Sequence, residues 1–530
     1  MAEQYLSRRH FFYGSLLAGA IPAGGFGSVA SLKRLGFKSP NEKLNIASIG
    51  AGGKAASDIS GCARLGENIV ALCDVDSLSA EQVFNRYPNV PKYTDFRKML
   101  DKEAKNIDAV IIAIPDHMHG MAAMWSMERG KHVYVQKPMA RTAWEARMMT
   151  EAARRYGVAT QMGNQGYCQE GPRVAAEMIW SGAIGDVKEV HAWTNRPIWQ
   201  QGVKTPPKGE PLPKSIDWES FIGIAPMREY SPEYMPFSWR GFFDFGCGAL
   251  GDMACHVLGS PNMALVLGSP TSVECLWKEP AEQNDVMYPM KSRIQFEFPA
   301  RGTMPALKLI WHDGASNLPA EFWPADIPKE EKLGDPPRGA PGAGRGAPGA
   351  AARGGAGAAG AMARGGAPGA PGAARGAARG GGGGMGGASP LSAEAQAYNA
   401  AKNERTNRFN SPASSGVLYV GTKGYMTSGE YGGGPRIVPT AKAAEYQPPP
   451  PFLTRSQETY TDWIQSCKSG NPSASNFDIA GPFTEWIAMG CIACRVPGKL
   501  EWDPVKMRIT NSKEANKFVK PTFRKGWSFT

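Results

Sequence analysis

Residues 44–55 read LNIASIGAGGKA, and the fold class is predicted from the pattern that begins in this stretch. Its first half, 44–49, has the apolar composition of a buried strand, and a helical pattern follows the glycines. A second apolar run at 69–73 ends in Asp74, an acidic residue 24 positions after Gly50. A strand, a glycine loop, a helix, a second strand and an acid in this order are typical of a dinucleotide-binding Rossmann unit.

The residues of the glycine loop each have a physical reason to be there. Gly50 permits the tight turn, Gly52 lets the backbone approach a pyrophosphate, and Ala55 allows the helix to pack closely on the strand. Beyond Gly53 the start of the helix supplies amide donors and the positive end of its dipole to the anion. Asp74 would accept hydrogen bonds from the adenosine ribose and repel a 2′-phosphate, which predicts NAD rather than NADP.

Two further loops are expected beside the glycine loop. An apolar strand at 107–114 runs into PDHMH at 115–119, and a strand at 132–135 leads into QKP at 136–138. In a doubly wound sheet, the loops at the carboxyl ends of the strands face the ligand crevice. The sequence therefore predicts that both loops line the cofactor pocket.

The loop at 115–119 also raises the question of a metal site. Asp116, His117 and His119 stand close together in it, but positions on one short loop rarely give good ligand geometry without a further segment. We therefore expect no metal, and we interpret these residues as polar lining of a nicotinamide pocket. The cofactor-binding residues predicted in the two loops are Pro115, His119, Gln136 and Lys137.

The net charge of +11 comes mostly from two segments outside this unit. Residues 1–40 carry +4 and residues 336–388 carry +6, which leaves +1 for the other 437 residues. That balance predicts no nucleic-acid partner for the folded part of the chain. No run of eighteen apolar residues occurs, so the sequence also predicts no stable membrane anchor.

The first basic segment, 1–40, has the features of a leader. Residues 7–12 read SRRHFF and precede a glycine-rich, mildly apolar stretch. This resembles a twin-arginine export signal, and it implies passage through the twin-arginine machinery to a bacterial periplasm. Because that route carries folded proteins, a tightly bound cofactor can be acquired in the cytoplasm before export.

The second basic segment, 336–388, consists almost wholly of Gly, Ala, Pro and Arg. It contains no aromatic or β-branched residue, so it cannot bury enough apolar area to offset its ordering entropy. Its Arg-Gly pairs would suit RNA binding, but the aromatic residues that stack on bases are missing. We therefore expect a disordered loop insertion rather than an RNA-binding segment.

Taken together, these motifs resemble the glucose-fructose oxidoreductase, inositol dehydrogenase and MocA family, and more closely its exported members. The resemblance rests on the glycine loop, Asp74, the PDHMH loop and the Lys137-Pro138 pair. It extends to GCGALGDMACH at 246–256, which is similar to the family signature G-G-x-L-x-D-x-x-x-H. Members usually carry Glu before the lysine, whereas Gln136 stands here, which removes one carboxylate beside the nicotinamide.

The resemblance implies an α/β fold of two domains. The first, at 41–162, is a Rossmann domain with a doubly wound parallel sheet. The second, at 163–530, is an α/β domain with a large, mostly antiparallel open sheet, whose face often pairs in the family, so a homo-oligomer is also implied. Five segments there have the pattern of strands, and the insert lies between the last two. These segments are 187–193, 271–277, 292–298, 306–311 and 416–420.

By the same resemblance, Lys137, Asp252 and His256 form the catalytic group. His256 acts as the acid or base, and Lys137 polarises or deprotonates a hydroxyl. Asp252 and His256 are four positions apart, so on a helix their side chains leave from one face. Polar and aromatic runs around the motif suit a carbohydrate, although ordinary packing would explain the tryptophans equally well. The predicted substrate contacts are Asn164, Arg196, Arg240 and Asp244.

These patterns favour an exported, NAD-dependent oxidoreductase that transfers a hydride between a sugar or polyol carbinol and nicotinamide. An alternative keeps NAD tightly bound and recycles it in a glycoside hydrolase or lyase, an epimerase or a sugar–sugar dismutation. Such recycling is attractive because an exported enzyme meets no pool of free NAD. A third possibility is a non-catalytic sugar-binding protein on the same fold, against which the intact Lys137, Asp252 and His256 argue.

Overall fold

The computed structural model describes residues 42–335, 390–407 and 414–529. The leader predicted at 1–40 and the insertion predicted at 336–388 lie outside these residues. The described chain forms two sheets, one of six strands and one of nine, with helices packed on them. No helix within these described ranges is long and apolar enough to cross a membrane.

The first sheet is parallel throughout, as the predicted Rossmann unit requires. Its central strands are buried on both faces, which explains their continuous apolar sequences. The strands are β1 (Asn45–Ile49), β2 (Asn68–Cys73), β3 (Lys92–Tyr93), β4 (Ala109–Ile112), β5 (His132–Val135) and β6 (Thr160–Met162). The helices between and after them are α1 (Lys54–Arg64), α2 (Ser77–Arg86), α3 (Phe96–Glu103), α4 (His119–Glu128) and α5 (Ala143–Tyr156).

The strand order in this sheet is β3-β2-β1-β4-β5-β6, so the chain reverses direction across the sheet between β1 and β4. In such sheets a ligand crevice opens beyond the carboxyl ends of the strands at that reversal. Gly50 follows β1, Asp74 follows β2, and Lys137 lies two positions after the end of β5. The fold therefore brings the sequence-predicted loops to one edge.

The second sheet has nine strands. They are β7 (Val187–Thr194), β8 (Ser272–Glu279), β9 (Lys291–Phe298), β10 (Leu307–Asp313), β11 (Ser415–Gly421), β12 (Gly424–Gly429), β13 (Arg436–Val438), β14 (Leu500–Asp503) and β15 (Arg508–Ile509). Their order is β13-β12-β11-β7-β10-β9-β8-β14-β15, and all neighbours are antiparallel except β7 and β10. This confirms the predicted mostly antiparallel architecture and all five predicted strands. The helices of this part are α6 (Glu170–Trp180), α7 (Trp218–Ile222), α8 (Gly248–Val257), α9 (Gly259–Ala264), α10 (Ala393–Asn407), α11 (Thr440–Ala443), α12 (Thr459–Ser469), α13 (Phe477–Ala493) and α14 (Lys513–Asn516).

The long apolar helix α13 joins the two sheets into one core. Its Trp486 packs edge-on against Phe296 of β9, with ring centroids 5.0 Å apart. On its other side, Arg147 of α5 donates two hydrogen bonds of 2.7 Å to the carboxylate of Glu485. Apolar packing and a bidentate ion pair therefore both cross the boundary between the two sheets and hold them together.

Helix α12 completes the core of the first sheet, although it comes late in the chain. Its Trp463 is fully buried and packs against Tyr134 of β5, with ring centroids 5.4 Å apart. Ile464 and Cys467 belong to the same apolar cluster as the residues of β1 and α1. The nucleotide-binding unit is thus built from residues at both ends of the described chain.

Candidate active site

The glycine loop is shaped by contacts that exclude larger residues. Gly50 has a φ of +94°, and a Cβ there would lie 2.3 Å from the carbonyl oxygen of Ala113. A Cβ on Gly52 would lie 2.3 Å from the hydroxyl oxygen of Ser79 in α2. Both positions therefore require glycine on grounds of packing alone. At Gly52 the close approach in this structure is to helix α2, in addition to the predicted approach of a pyrophosphate.

The start of α1 is free to bind an anion. Gly53 precedes it with a φ of +54°, and nothing lies within 4 Å of a Cβ built there. No side chain caps the first amides of the helix, and its first turn carries no acidic residue. Ala55 is fully buried, as close packing on the strand requires. These residues fit the pyrophosphate of a dinucleotide, because the positive end of the helix dipole lies next to Gly53, where there is open space.

The carboxylate of Asp74 stabilises the glycine loop by accepting hydrogen bonds from its backbone amides. Its Oδ2 accepts hydrogen bonds from the amides of Ala51 at 2.7 Å and Gly52 at 2.9 Å. Its Oδ1 accepts from the amide of Asp76 at 3.0 Å. Burial raises the pKa of Asp74, while these backbone donors act in the opposite direction. A residue suited to the adenosine ribose therefore also holds the loop in shape.

Asp76 connects this edge to α10, the helix that follows the insertion in sequence. The carboxylate of Asp76 caps α2 and also accepts a hydrogen bond from the hydroxyl of Tyr398. Nearer the start of α10, Ser392 donates two hydrogen bonds to Glu81, at 2.6 and 2.7 Å. Sequence reasoning missed Tyr398, because nothing near it in the chain indicates a partner more than three hundred positions away.

Gln136 has a specific partner, the buried carboxylate of Asp58 in α1. The amide of Gln136 donates to Asp58 at 2.8 Å, and the hydroxyl of Tyr460 donates to the same carboxylate at 2.7 Å. Lys54 completes the set with an ion pair of 2.6 Å. Asp58 is fully buried, so its carboxylate needs hydrogen-bond donors from the protein. The side-chain amide of Gln136 supplies one, which a glutamate at this position could not do when ionised. Sequence reasoning missed Asp58, which has no recognisable motif.

Pro115 begins a short turn, and the two histidines that follow it hold loops together. The ring of His119 lies between the carbonyl oxygen of Ile114, at 2.8 Å, and that of Pro138, at 2.7 Å. The ring of His117 bonds carbonyl groups of α7. Burial lowers the pKa of His117 to about 3 and of His119 to about 4. Among the residues that the structure describes, no group of three or more His, Cys, Asp or Glu could hold a metal ion.

Lys137 and Asp252 form the centre of the site. The Nζ of Lys137 donates to Oδ1 and to the main-chain oxygen of Asp252, both at 2.8 Å. Arg240 lies on the other side, with its Nε 3.1 Å from the same Oδ1. Burial alone would raise the pKa of Asp252, but Lys137 and Arg240 hold it well below its ordinary value. Asp252 is therefore an ionised anchor that orients both cations.

His256 lies one helical turn after Asp252 on α8, as the spacing predicts. It is buried, and its Nδ1 has no hydrogen-bond partner. Burial, and then the charge of Lys137, lower the pKa of His256 well below the ordinary value. Its ring meets the ring of Tyr431 edge-on, 4.9 Å between centroids. A neutral imidazole at this place can accept a proton. Sequence reasoning missed Tyr431, which comes from the loop after β12.

The four predicted substrate contacts have different surroundings. Arg240 stacks on the ring of Trp239, 4.3 Å from its centroid, and Arg196 is close enough to help lower the pKa of Asp252. Asn164 is fully buried and accepts a hydrogen bond from Ser475 at 2.7 Å, so it supports the core behind α8. Asp244 forms an ion pair with Arg228. The structure thus brings the two arginines, but not Asn164 or Asp244, to the Lys137–Asp252 pair.

The buried carboxyl of Asp116 should make the free energy of unfolding depend on pH. Its buried carboxylate accepts one hydrogen bond from the amide of Cys247 at 3.1 Å, and burial raises its pKa to about 7. The native state therefore holds a proton that the unfolded state releases near pH 4, so this stabilisation is present at low pH and is lost as the pH rises through 7. Between pH 5 and pH 8 the free energy of unfolding should fall by roughly 2.5 kcal/mol on account of this group.

Urea unfolding of the wild type and Asp116→Asn at both pH values measures this effect. In the variant, the free energy of unfolding should no longer show the decrease with rising pH that Asp116 causes. The contributions of His117 and His119 are the same in both proteins. Equal pH dependence in the two proteins would show that the carboxyl ionises normally.

Two segments of the chain match known families of protein domains. Residues 44–164 match the oxidoreductase family with an NAD-binding Rossmann fold, and residues 181–301 match the C-terminal α/β domain of that family, known as Gfo/Idh/MocA. Both matched segments contain catalytic candidates, Lys137 in the first and Asp252 with His256 in the second.

Individual relatives are more distant. A glycosyl hydrolase family 109 protein of Solibacter usitatus is 30% identical over 176 residues, which are 30% of this chain and 39% of that protein. The D-glucoside 3-dehydrogenase of Escherichia coli is 28% identical over 163 residues, 30% of this chain and 45% of that one. The chain thus matches less than half the length of these relatives. The crystal structure of the aldose-aldose oxidoreductase from Caulobacter crescentus, complexed with glycerol, aligns with a TM-score of 0.46 and 13% identity over 87% of this chain and 100% of that one. The two matched segments of this chain are thus similar to the NAD-binding and C-terminal domains of the Gfo/Idh/MocA family of oxidoreductases.

Proposed function

We propose that the protein is an NAD-dependent oxidoreductase that transfers a hydride between the carbinol of a sugar or polyol and nicotinamide. The observation that carries the proposal is the Lys137–Asp252 pair with His256, at the edge where the glycine loop would hold the cofactor. A relative whose name is D-glucoside 3-dehydrogenase supports a sugar as the substrate class.

The loop from Gly50 to Ala55 and the start of α1 would hold the pyrophosphate, and Asp74 the ribose. When bound, NAD supplies the acceptor for the hydride. His256, being neutral, takes the proton of the carbinol hydroxyl. Lys137 uses two of its three donors on Asp252, so the third can bond the oxygen on which negative charge develops. In the reverse direction the same groups return the proton.

A second candidate function keeps NAD bound while it is reduced and reoxidised within one turnover. Two observations favour it: a relative named as a glycosyl hydrolase family 109 protein, and the position of α10. That helix is bonded to Asp76 at the ribose edge, and the charges of both Arg240 and Asp76 act on its Lys402. A helix in this position would hinder the departure of a dinucleotide.

The test is to purify the folded protein, measure its bound NAD, and add sugars and glycosides. Net formation of reduced NAD in proportion to the sugar oxidised supports the dehydrogenase. Conversion of a glycoside or isomerisation of a sugar without net reduction of NAD supports recycling. A purified protein without bound NAD and without measurable affinity for it would contradict both.

Export to the periplasm is part of the proposal. It rests on the SRRHFF motif at 7–12, which precedes the described residues. Replacing Arg8 and Arg9 by lysine should leave the protein in the cytoplasm of a bacterium that has the twin-arginine machinery, as measured by cell fractionation. Equal periplasmic amounts of the variant and the wild type would contradict this route.

A further inference from the structure

The guanidinium of Arg196 has no partner in the part of the chain that the structure describes. Arg196 lies in the turn after β7, and its side chain forms neither an ion pair nor a hydrogen bond with the described residues. Its Nε is inaccessible to solvent and bonded to nothing. The backbone is nevertheless fixed, because the Arg196 carbonyl accepts from the amide of Gly314 at 2.8 Å. A buried donor on an ordered backbone, left without an acceptor, is costly and points to a ligand.

The positive charge of this guanidinium acts on the catalytic group. Its charge contributes to the lowered pKa values of both Asp252 and His256. Asp252 does not neutralise it, because the Oδ1 of that carboxylate is bonded to Lys137 at 2.8 Å and Arg240 at 3.1 Å. The charges of Lys137, Arg240 and Arg196 thus act on the ionised Asp252, while the only other carboxyl among the described residues on which Lys137 and Arg240 are seen to act, that of Asp116, has its pKa raised by burial to about 7 and is partly protonated. The excess positive charge is suited to a substrate that carries a negative charge of its own.

The chemistry of the free cation indicates which anion it would bind. A guanidinium presents a planar pair of donors that matches a carboxylate in a bidentate arrangement. A phosphate dianion would be better balanced by a second free cation, but Lys137 and Arg240 are both held by Asp252. Arg240 is itself packed against Phe237 and Trp239, 4.5 and 4.3 Å from the ring centroids, which provides apolar surface for a sugar ring.

We infer that the substrate is a sugar acid, whose carboxylate is bound by Arg196 while its carbinol faces Lys137 and His256. The inference rests on the proposed function and narrows its substrate class. A neutral sugar would leave the buried Nε of Arg196 unpaired, and sites with such unpaired groups discriminate strongly. We expect sugar acids to bind at least ~100-fold more tightly than the neutral sugars with the same ring stereochemistry.

The experiment is calorimetric titration of the NAD-loaded protein with matched pairs of ligands. The acids are D-glucuronate and D-galacturonate, and their neutral partners are D-glucose and D-galactose, with D-glucose 6-phosphate as the phosphate probe. At least one acid should bind about 100-fold more tightly than its neutral partner and than the phosphate. Neutral sugars that bind as well as the acids, the absence of binding by both acids, or preferential binding of the phosphate would each overturn the inference.

Variants separate a direct role of Arg196 from a general effect of charge. Arg196→Gln should weaken binding of the acid about 100-fold and leave binding of NAD and the melting temperature unchanged, and Arg196→Lys should recover only part of the affinity. Arg154→Gln removes an equally charged but exposed side chain of α5 and should have no effect. Binding of the acid that survives Arg196→Gln would overturn the assignment.

The two proposals fail in distinguishable ways. If an acid binds through Arg196 but no ligand changes the redox state of bound NAD, the oxidoreductase proposal fails and the binding site stands. If neutral sugars are oxidised and Arg196→Gln changes neither binding nor turnover, the oxidoreductase proposal stands and the inference of a sugar-acid substrate is wrong.

Discussion

Lys137→Met is expected to lower kcat by a factor of about 10³ while the protein keeps its NAD. The variant loses the ammonium group that donates to Asp252 and, in the proposed mechanism, to the oxygen on which negative charge develops. Asp252 keeps its contact with Arg240 at 3.1 Å, so the carboxylate does not become an isolated buried charge. The loss should therefore appear in turnover, measured as hydride transfer, and hardly in the melting temperature or in bound NAD.

Lys131→Met is the matched control for this variant. Lys131 immediately precedes the opposite end of β5, where it donates to the carbonyl of Ala104 at 2.6 Å. The control removes the same positive charge next to the same strand, but at the end of the strand away from the crevice. Turnover of Lys137→Met within tenfold of wild type would show that the lysine is not a catalytic residue.

The second large effect is expected from Gln136→Glu, which introduces the residue usual in the family that the chain resembles. In this chain the new carboxyl would face Asp58, whose carboxylate is fully buried and accepts from Gln136 at 2.8 Å. Two buried carboxylates at this distance cannot both ionise, so the variant should lose about 3–5 kcal/mol of stability near neutral pH. The loss should diminish as the pH is lowered, because the protonated carboxyl can donate to Asp58. Chemical denaturation at pH 5 and pH 8 measures both effects.

An exchange of the two groups tests the cause. In Asp58→Asn combined with Gln136→Glu, the amide and the carboxylate have changed places, and at least half of the lost stability should return. Gln136→Met keeps the size but removes the donor, and it should be less damaging than the carboxyl. A stable Gln136→Glu protein, with unchanged unfolding at both pH values, would contradict the role given to Asp58.

The sequence predicted those parts of the fold that local patterns encode. The apolar run at 44–49, the glycines after it and the five later strands follow from composition and alternation, which depend on neighbours along the chain. Asp252 and His256 are four positions apart, and the helix on which this spacing puts both side chains on one face is observed as Gly248–Val257. These features are determined within segments of about ten residues, so a single sequence is sufficient to find them.

The site also depends on contacts that no local pattern encodes. Tyr460 donates to Asp58 across 402 positions, and Tyr398 donates to Asp76 across 322. Such pairs are set by the packing of whole helices on the first sheet. The sequence could therefore identify Gln136 as unusual in the family, but the reason for it becomes visible only when α1 and α12 are placed together.

The late position of α12 has a consequence for biosynthesis. While the ribosome is still adding residues before 459, the β1–β5 layer lacks Trp463 and the other side chains that cover it. A nascent chain that stops short of residue 459 exposes that apolar face and has no Tyr460 to bond Asp58. Folding of the nucleotide-binding unit, and with it the capture of the cofactor, is thereby deferred until residues 459–469 have been synthesised.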